Sequence, residues 1–202
     1  MEYDLWAYEM QAGNNGYAKI AGIDEAGRGP IAGPVVSAAV ILPPLFPVKD
    51  IDDSKKLSSK KRAYLFDKIY EHAVSVGIGI VDPPEILRMN ILYASLLSMK
   101  ISVQNLEPQP DFLLIDGIFQ IPYELPQQAI PKGDSLSISI AAASIVAKVT
   151  RDRLMEKYHQ EYPEFGFDRH KGYPTKEHKE AVRKFGCCPI HRKSFKGVRE
   201  TL

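Results

Sequence analysis

The sequence predicts an α/β sheet followed by a helical extension, and three features of the 202-residue chain carry that reading. Short β-leaning runs come first, runs and helical patterns then alternate, and only helical patterns follow residue 137, which is the order of a sheet with helices packed on it. The composition, 45% hydrophobic and 25% charged, suffices for one substantial core. The segment that opens at Ser137, SISIAAAS, is built of small residues that let a helix lie close on a sheet.

In chain order, residues 17–25 (YAKIAGIDE) and 34–42 (PVVSAAVIL) read as an antiparallel hairpin around a glycine-rich turn, and residues 73–81 (AVSVGIGIV) as a third strand. Between them, SSKKRAYLFDKIYEHA places Ala63, Phe66, Ile69 and Tyr70 at helical spacing behind Ser58 as N-cap. After Pro83 and Pro84, EILRMNILYASLLSMKISVQNL repeats apolar residues at three and four, which predicts one amphipathic helix with proline in its first turn. DFLLIDG at 111–117 is a short, nearly continuous apolar strand of the kind buried on both faces, and it ends at Asp116. A long helix from Ser137 turns increasingly charged, and TKEHKEAVRKF, closed by Gly186, makes the last one.

Charge divides the chain. Residues 1–147 hold 12 basic against 17 acidic side chains, net −5, and residues 148–202 hold 14 against 8, net +6. We therefore read 1–147 as the sheet core and 148–202 as a basic helical region packed on it within the same domain, its asymmetry hinting at a polyanionic partner. Among its cations, Arg192, Lys193, Lys196 and Arg199 are expected to contribute nonspecific affinity for nucleic acid. No run of about 18 apolar residues occurs and the acidic N-terminus lacks a secretory pattern, so a cytoplasmic protein with no membrane association is expected. Cys187 and Cys188, adjacent and without a second ligand pair, read as reduced thiols rather than a disulfide or a zinc site.

The chemistry centres on AGIDEAGRGP. Asp24 and Glu25 end one apolar strand and Asp116 another, and charges there are expensive to desolvate unless something positive meets them. A hard divalent cation, Mg²⁺ or Mn²⁺, prefers such carboxylate oxygens. Asp134 in KGDS follows just before the small-residue helix. Singly, Asp134 could cap that helix and Asp116 could be a turn aspartate; the set points to a metal centre. Gly27 and Gly29 permit a sharp turn and close approach of a sugar or phosphate to the backbone, though the pattern is no P-loop.

Taken together, IDEAGRGPIAGPV, DDSKKLS, LLIDG, KGDS with SISIAAASIVAKVTRD, and HKGYPTKEH resemble bacterial ribonuclease HII over roughly residues 18–196. The resemblance implies a ribonuclease H-like mixed β-sheet flanked by helices, with a helical C-terminal extension. It implies four catalytic, metal-holding acids, Asp24, Glu25, Asp116 and Asp134, with Mn²⁺ or Mg²⁺ as cofactor. The implied substrates are RNA/DNA hybrids and ribonucleotide-containing duplex DNA, cut 5′ of the ribonucleotide by two ions roughly 4 Å apart, and a monomer is expected. Gly27, Arg28 and Gly29 would read the ribose 2′-hydroxyl through the backbone, Tyr173 would pack on the next sugar, and Lys55 and Lys148 would contact phosphates. His170 and His191 are read as structural or phosphate-contacting groups rather than general bases. The rivals are a ribonuclease HIII-like nuclease, for which only about 17 residues before the first strand leave no room for its extra N-terminal domain, a non-catalytic hybrid-binding module, and a small-molecule metal phosphatase. The last two fit poorly with an acid cluster and a basic C-terminal region respectively.

Overall fold

Alternation along the first strand decides which face each acid takes. In the computed structural model, which describes residues 4–44, 46–47, 51, 54 and 57–201, β1 (Ile20–Ala26) pairs antiparallel with β2 (Val35–Ile41), and β2 pairs antiparallel with β3 (Ser75–Val81). On its other side β1 runs parallel to β4 (Phe112–Asp116), which pairs with β5 (Gln127–Ile130), giving a mixed five-stranded sheet of order β3-β2-β1-β4-β5. The parallel β1–β4 register ends at Ile23 opposite Ile115, so the next residues, Asp24 and Asp116, stand just past the last pair between these two strands, each still paired on its other side, Asp24 with Ala38 and Asp116 with Ile130.

Helices cover both faces. The helix α2 (Ser59–His72) starts where Ser58 accepts the Lys61 N–H at 3.2 Å, as the sequence predicts. Its buried stripe is Leu65 and Ile69, however, while Ala63 and Tyr70 are exposed, because the sheet meets the helix on the side of the larger aliphatics. On the same face lies α4 (Ile138–Glu161), capped by Ser137, with Ala141, Ile145 and Ala142 packed against Ala38 and Val40. The close approach is obligatory: a Cβ on Gly22 would sit 2.1 Å from the Ser139 carbonyl carbon. The charge boundary at 147/148 falls inside this continuous helix.

The opposite face is covered by α3 (Pro83–Gln104), whose Met99 and Val103 pack with Ala21, Ile23, Leu113 and Ile115. Its 22 residues are long and apolar enough to cross a bilayer; part of that apolar surface packs on the sheet, Leu87 and Tyr93 stay exposed, and Ser98 Oγ lies 2.5 Å from Ser37 Oγ of β2. It is also not the single helix expected. Asn90 adopts φ 70° and ψ 169°, and its side-chain oxygen accepts the N–H groups of Leu92 and Tyr93, capping a second helical half.

Three elements are not legible in the sequence, the last of them the single turn Phe167–His170. The N-terminal α1 (Ala7–Asn14) is held by Glu9, whose Oε1 accepts from Ser137 Oγ at 2.6 Å and from Ser139 N at 3.0 Å, so the carboxylate sits at the start of α4. The edge strand β5 is the polar QQAI, without the alternation or branched residues that mark a strand. Beyond α4, the short α5 (Phe167–His170) and α6 (Lys176–Phe185) pack through Phe165, Phe167, Val182 and Ile190 on Met155. Gly186, at φ 76°, follows the last residue of α6 as expected, and Thr175, read in the sequence as the first residue of that helix, is its N-cap.

Candidate active site

Residues two apart on a strand share a face, so Asp24 and Asp116 point toward α4 and Glu25 toward α3. The β1–β4 pairing ends there, and carboxylate oxygens of Asp24, Glu25 and Asp116 all lie within 4.8 Å of one another. Asp24 is 4% exposed, and its Oδ1 accepts the Glu25 N–H at 2.7 Å. Glu25 receives Arg28 Nη1 at 3.1 Å. Asp116 Oδ1 accepts the Gly133 N–H at 2.7 Å, and β5 brings that amide into place by pairing Ile130 with Asp116.

Burial holds the Asp24 carboxyl well above its ordinary value, Glu25 and Asp116 add repulsion, and the Ser144 hydroxyl and the Glu25 N–H oppose them. Burial raises Glu25 as well, against the attraction of Arg28, with Asp116 adding repulsion. Crowded acids of this kind fit a hard divalent cation: the donors are oxygen only, and a cation would relieve the repulsion that raises both groups.

These acids line a cleft of about 230 Å³ together with Gly27, Arg28, Gly29, Lys148 and Tyr173. Eight of the ten residues singled out in the sequence therefore meet in one place. Asp134 is buried in the 3₁₀ turn Gly133–Ser135, directly after the amide that holds Asp116, and does not join the 4.8 Å cluster. Ser137, not Asp134, caps α4. Lys55 lies outside the described residues.

The glycine-arginine-glycine turn is shaped from beneath. Gly27 has φ 101°, and a Cβ there would lie 2.1 Å from Arg151 Nε. Arg151, 1% exposed, donates to the carbonyls of Pro34, Ala32 and Lys171 at 2.9–3.1 Å. Arg192, also 1% exposed, donates to Gly33, Arg28 and Pro30 at 2.9–3.0 Å and to Gly27 at 2.6 Å. The Gly29 backbone then faces the Tyr173 ring, which a Cβ would meet at 3.5 Å.

A model of the family described as Ribonuclease HII matches residues 21–198, nearly all of the elements just described. The chain belongs to the ribonuclease HII family. The ribonuclease HII of Geobacter metallireducens (strain ATCC 53774 / DSM 7210 / GS-15) is 55% identical over 199 residues, covering 98% of this chain and 93% of that one. The crystal structure of the ribonuclease H2 from Pyrococcus horikoshii OT3 aligns with a TM-score of 0.76 at 31% identity, covering 91% of this chain and 97% of that one. Bst-RNase HIII, solved in complex with Mn²⁺, shares the fold at a TM-score of 0.70 and 22% identity, over 94% of this chain and 71% of that one.

In this ribonuclease HII-family enzyme the sequence reading missed three polar residues of the site and misplaced a fourth beside it. Ser54 and Ser144 line the cleft with their hydroxyl oxygens 2.8 Å apart, and both stand inside quoted motifs, DDSKKLS and SISIAAAS. Arg151 also lines it, while Arg192, read in the sequence as a phosphate contact, is instead buried under the loop. No local signal separates a solvated arginine from one that collects carbonyls; only the fold brings those carbonyls together.

Proposed function

We propose that the chain hydrolyses the phosphodiester 5′ of a ribonucleotide, in RNA/DNA hybrids or at single ribonucleotides embedded in duplex DNA, leaving 3′-hydroxyl and 5′-phosphate ends. The observation that carries this reading is the meeting in one cleft of Asp24, Glu25 and Asp116 with the Gly27–Arg28–Gly29 turn and Tyr173. Asp24, Glu25 and Asp116 would hold Mg²⁺ or Mn²⁺, with Asp134 as the fourth acid that the family resemblance supplies. Bound there, a pair of such ions supplies an activated water and stabilisation of the leaving 3′-oxygen.

The chain's own groups choose the scissile bond. Arg192 engages the carbonyls of Gly27 and Arg28 and so fixes the turn whose backbone would meet the ribose 2′-oxygen that distinguishes RNA from DNA. Tyr173, 45% exposed, presents its ring to the adjoining sugar. Lys148 is bonded to Asp152 at 2.7 Å, but a partly exposed i,i+4 pair is worth only about 0.3–0.5 kcal/mol. It can therefore turn to a phosphate at little cost, and Lys55 is proposed for the same role on resemblance.

The test is a DNA duplex with one embedded ribonucleotide, incubated with Mg²⁺, with Mn²⁺ and with chelator, the cut mapped at nucleotide resolution. Cleavage 5′ of the ribonucleotide with metal and none with chelator is expected. Cutting in chelator, or on the 3′ side, overturns the reading.

A further inference from the structure

Tyr173 reaches the cleft from a loop whose backbone is held by two imidazoles. Gly172 donates its N–H to His170 Nδ1 at 3.2 Å, and the Tyr173 carbonyl lies 2.9 Å from His178 Nδ1. Behind this contact the chain of ring nitrogens continues inward. His178 Nε2 is 3.1 Å from His191 Nε2, and His191 Nδ1 is 3.0 Å from both the N–H and the Sγ of Cys188. His178 and His191 are buried, His170 stacks on His178 with ring centroids 4.3 Å apart, and Phe167 meets His178 edge-on at 5.4 Å.

The partners fix every tautomer. A carbonyl accepts only, so His178 carries its proton on Nδ1 and leaves Nε2 bare. His191 Nε2 must then donate to it, which leaves His191 Nδ1 to accept from Cys188. The Cys188 carbonyl, 3.3 Å from the same Nδ1, is the poorer partner, since choosing it would set two bare Nε2 atoms face to face. His170 accepts from Gly172 and so donates from Nε2 to the Phe165 carbonyl, 2.7 Å away. Burial agrees: it lowers His178 and His191 to about 4 and raises the Cys188 thiol to about 11, so all three are neutral near pH 7.

We propose that Cys188, His191 and His178 form a directional hydrogen-bond relay, the proton order running from Cys188 through both rings, whose role is to keep the proton on His178 Nδ1, the donor that holds the Tyr173 carbonyl and so positions Tyr173 for the reaction. His178 and His191 are thus positioning residues for the enzyme, acting through Tyr173 rather than on substrate. This gives the cysteine at 188 a place in the site's architecture: its N–H and S–H start the relay. The proposal rests on the reading that Tyr173 packs on the sugar.

Asparagine and glutamine separate the relay from mere packing. The amide nitrogen of Asn stands as many bonds from Cα as Nδ1 does, whereas that of Gln stands where Nε2 does. His178→Asn is therefore expected to keep kcat near wild type, and His178→Gln to lose about 10- to 100-fold in kcat with KM little changed, since a misplacement near 1 Å costs about 100-fold. In a Tyr173→Ala background, His178→Gln should add nothing further. Equal kcat in the Asn and Gln variants, or independent losses in the double variant, overturns the relay. Wild-type cleavage by Tyr173→Ala alone overturns the role of Tyr173 and the relay with it, whereas a steep loss there beside equal Asn and Gln variants overturns the relay only. Should His178→Gln not fold, long-range ¹⁵N–¹H spectra of the wild-type imidazoles at pH 7 decide: protons on Nε2 of His170, Nδ1 of His178 and Nε2 of His191 support the relay, and a proton on His178 Nε2 overturns it.

Discussion

At the strand ends, Asp24, Glu25 and Asp116 crowd within 4.8 Å and two of them are driven toward protonation, whereas on the opposite wall Arg151 and Arg192 direct their donors at seven backbone carbonyls. Both regions bury charge in the same small volume. The acids are left with excess like charge and therefore hold capacity for a cation; the arginines are answered by dipoles and therefore hold shape. Removing a charge should have opposite consequences on the two walls.

The largest effect is expected at the acids. Asp116→Asn should lose cleavage by on the order of 10³-fold or more, as when an electrostatic contact to a transition state is removed, while the chelated protein melts no lower than wild type because a repulsive charge is gone. Gel assays at saturating Mg²⁺ with melting in chelator measure both, and full activity would remove Asp116 from the site. On the other wall, Arg192→Met should cost about 3 kcal/mol or more, since orphaned buried carbonyls cost about 1–3 kcal/mol each. Urea unfolding reads that loss; a midpoint unchanged from wild type would mean that the loop holds itself.

Acid sharpens the contrast through the histidines. Their folded pKa, about 4 for His178 and His191, lies below the ordinary 6.5 because of burial. The unfolded chain thus takes up protons first, and stability present above about pH 6.5 is lost as pH falls toward 4, by about 3 kcal/mol per ring at 1.36 kcal/mol per unit. With Asp24→Asn and Glu25→Gln in place, removing the two raised carboxyls that would gain stability on acidification, urea midpoints between pH 7 and 4.5 should fall, and a flat profile would contradict the neutral burial of these rings. The smallest effect concerns exposed cations: replacing Lys193, Lys196 and Arg199 by Gln should flatten the dependence of log K on log salt by roughly 0.9 for each phosphate that is no longer neutralised. Arg192 is excluded from that set because it is buried. An identical slope would make the three a solvated surface.

The same contrast separates what the sequence discloses from what it withholds. Asp24, Glu25 and Asp116 are legible because acids at the ends of apolar strands violate a local rule, and the hairpin, the caps at Ser58 and Gly186 and the small-residue face of α4 obey local rules. Arg192 is illegible because its partners lie 159 to 165 positions earlier, and β5 because its strand character comes only from the neighbour it pairs with. The stripe on α2 differs from expectation for a related reason: Tyr70 and Leu65 are both apolar enough to bury, and the sheet, not the helix, chooses.

The span between Arg192 and its carbonyls also sets a clock. The Gly27–Gly33 loop leaves the ribosome long before the guanidinium that shapes it has been polymerised, with 159 residues still to be added after Gly33. At about 5–20 residues per second that interval is on the order of 10 to 30 seconds. For the last 76 of those residues, from Asp116 onward, Asp24, Glu25 and Asp116 are all present while the turn beside them lacks its template, so a nascent chain carries the acid cluster next to an unshaped loop until Arg192 docks.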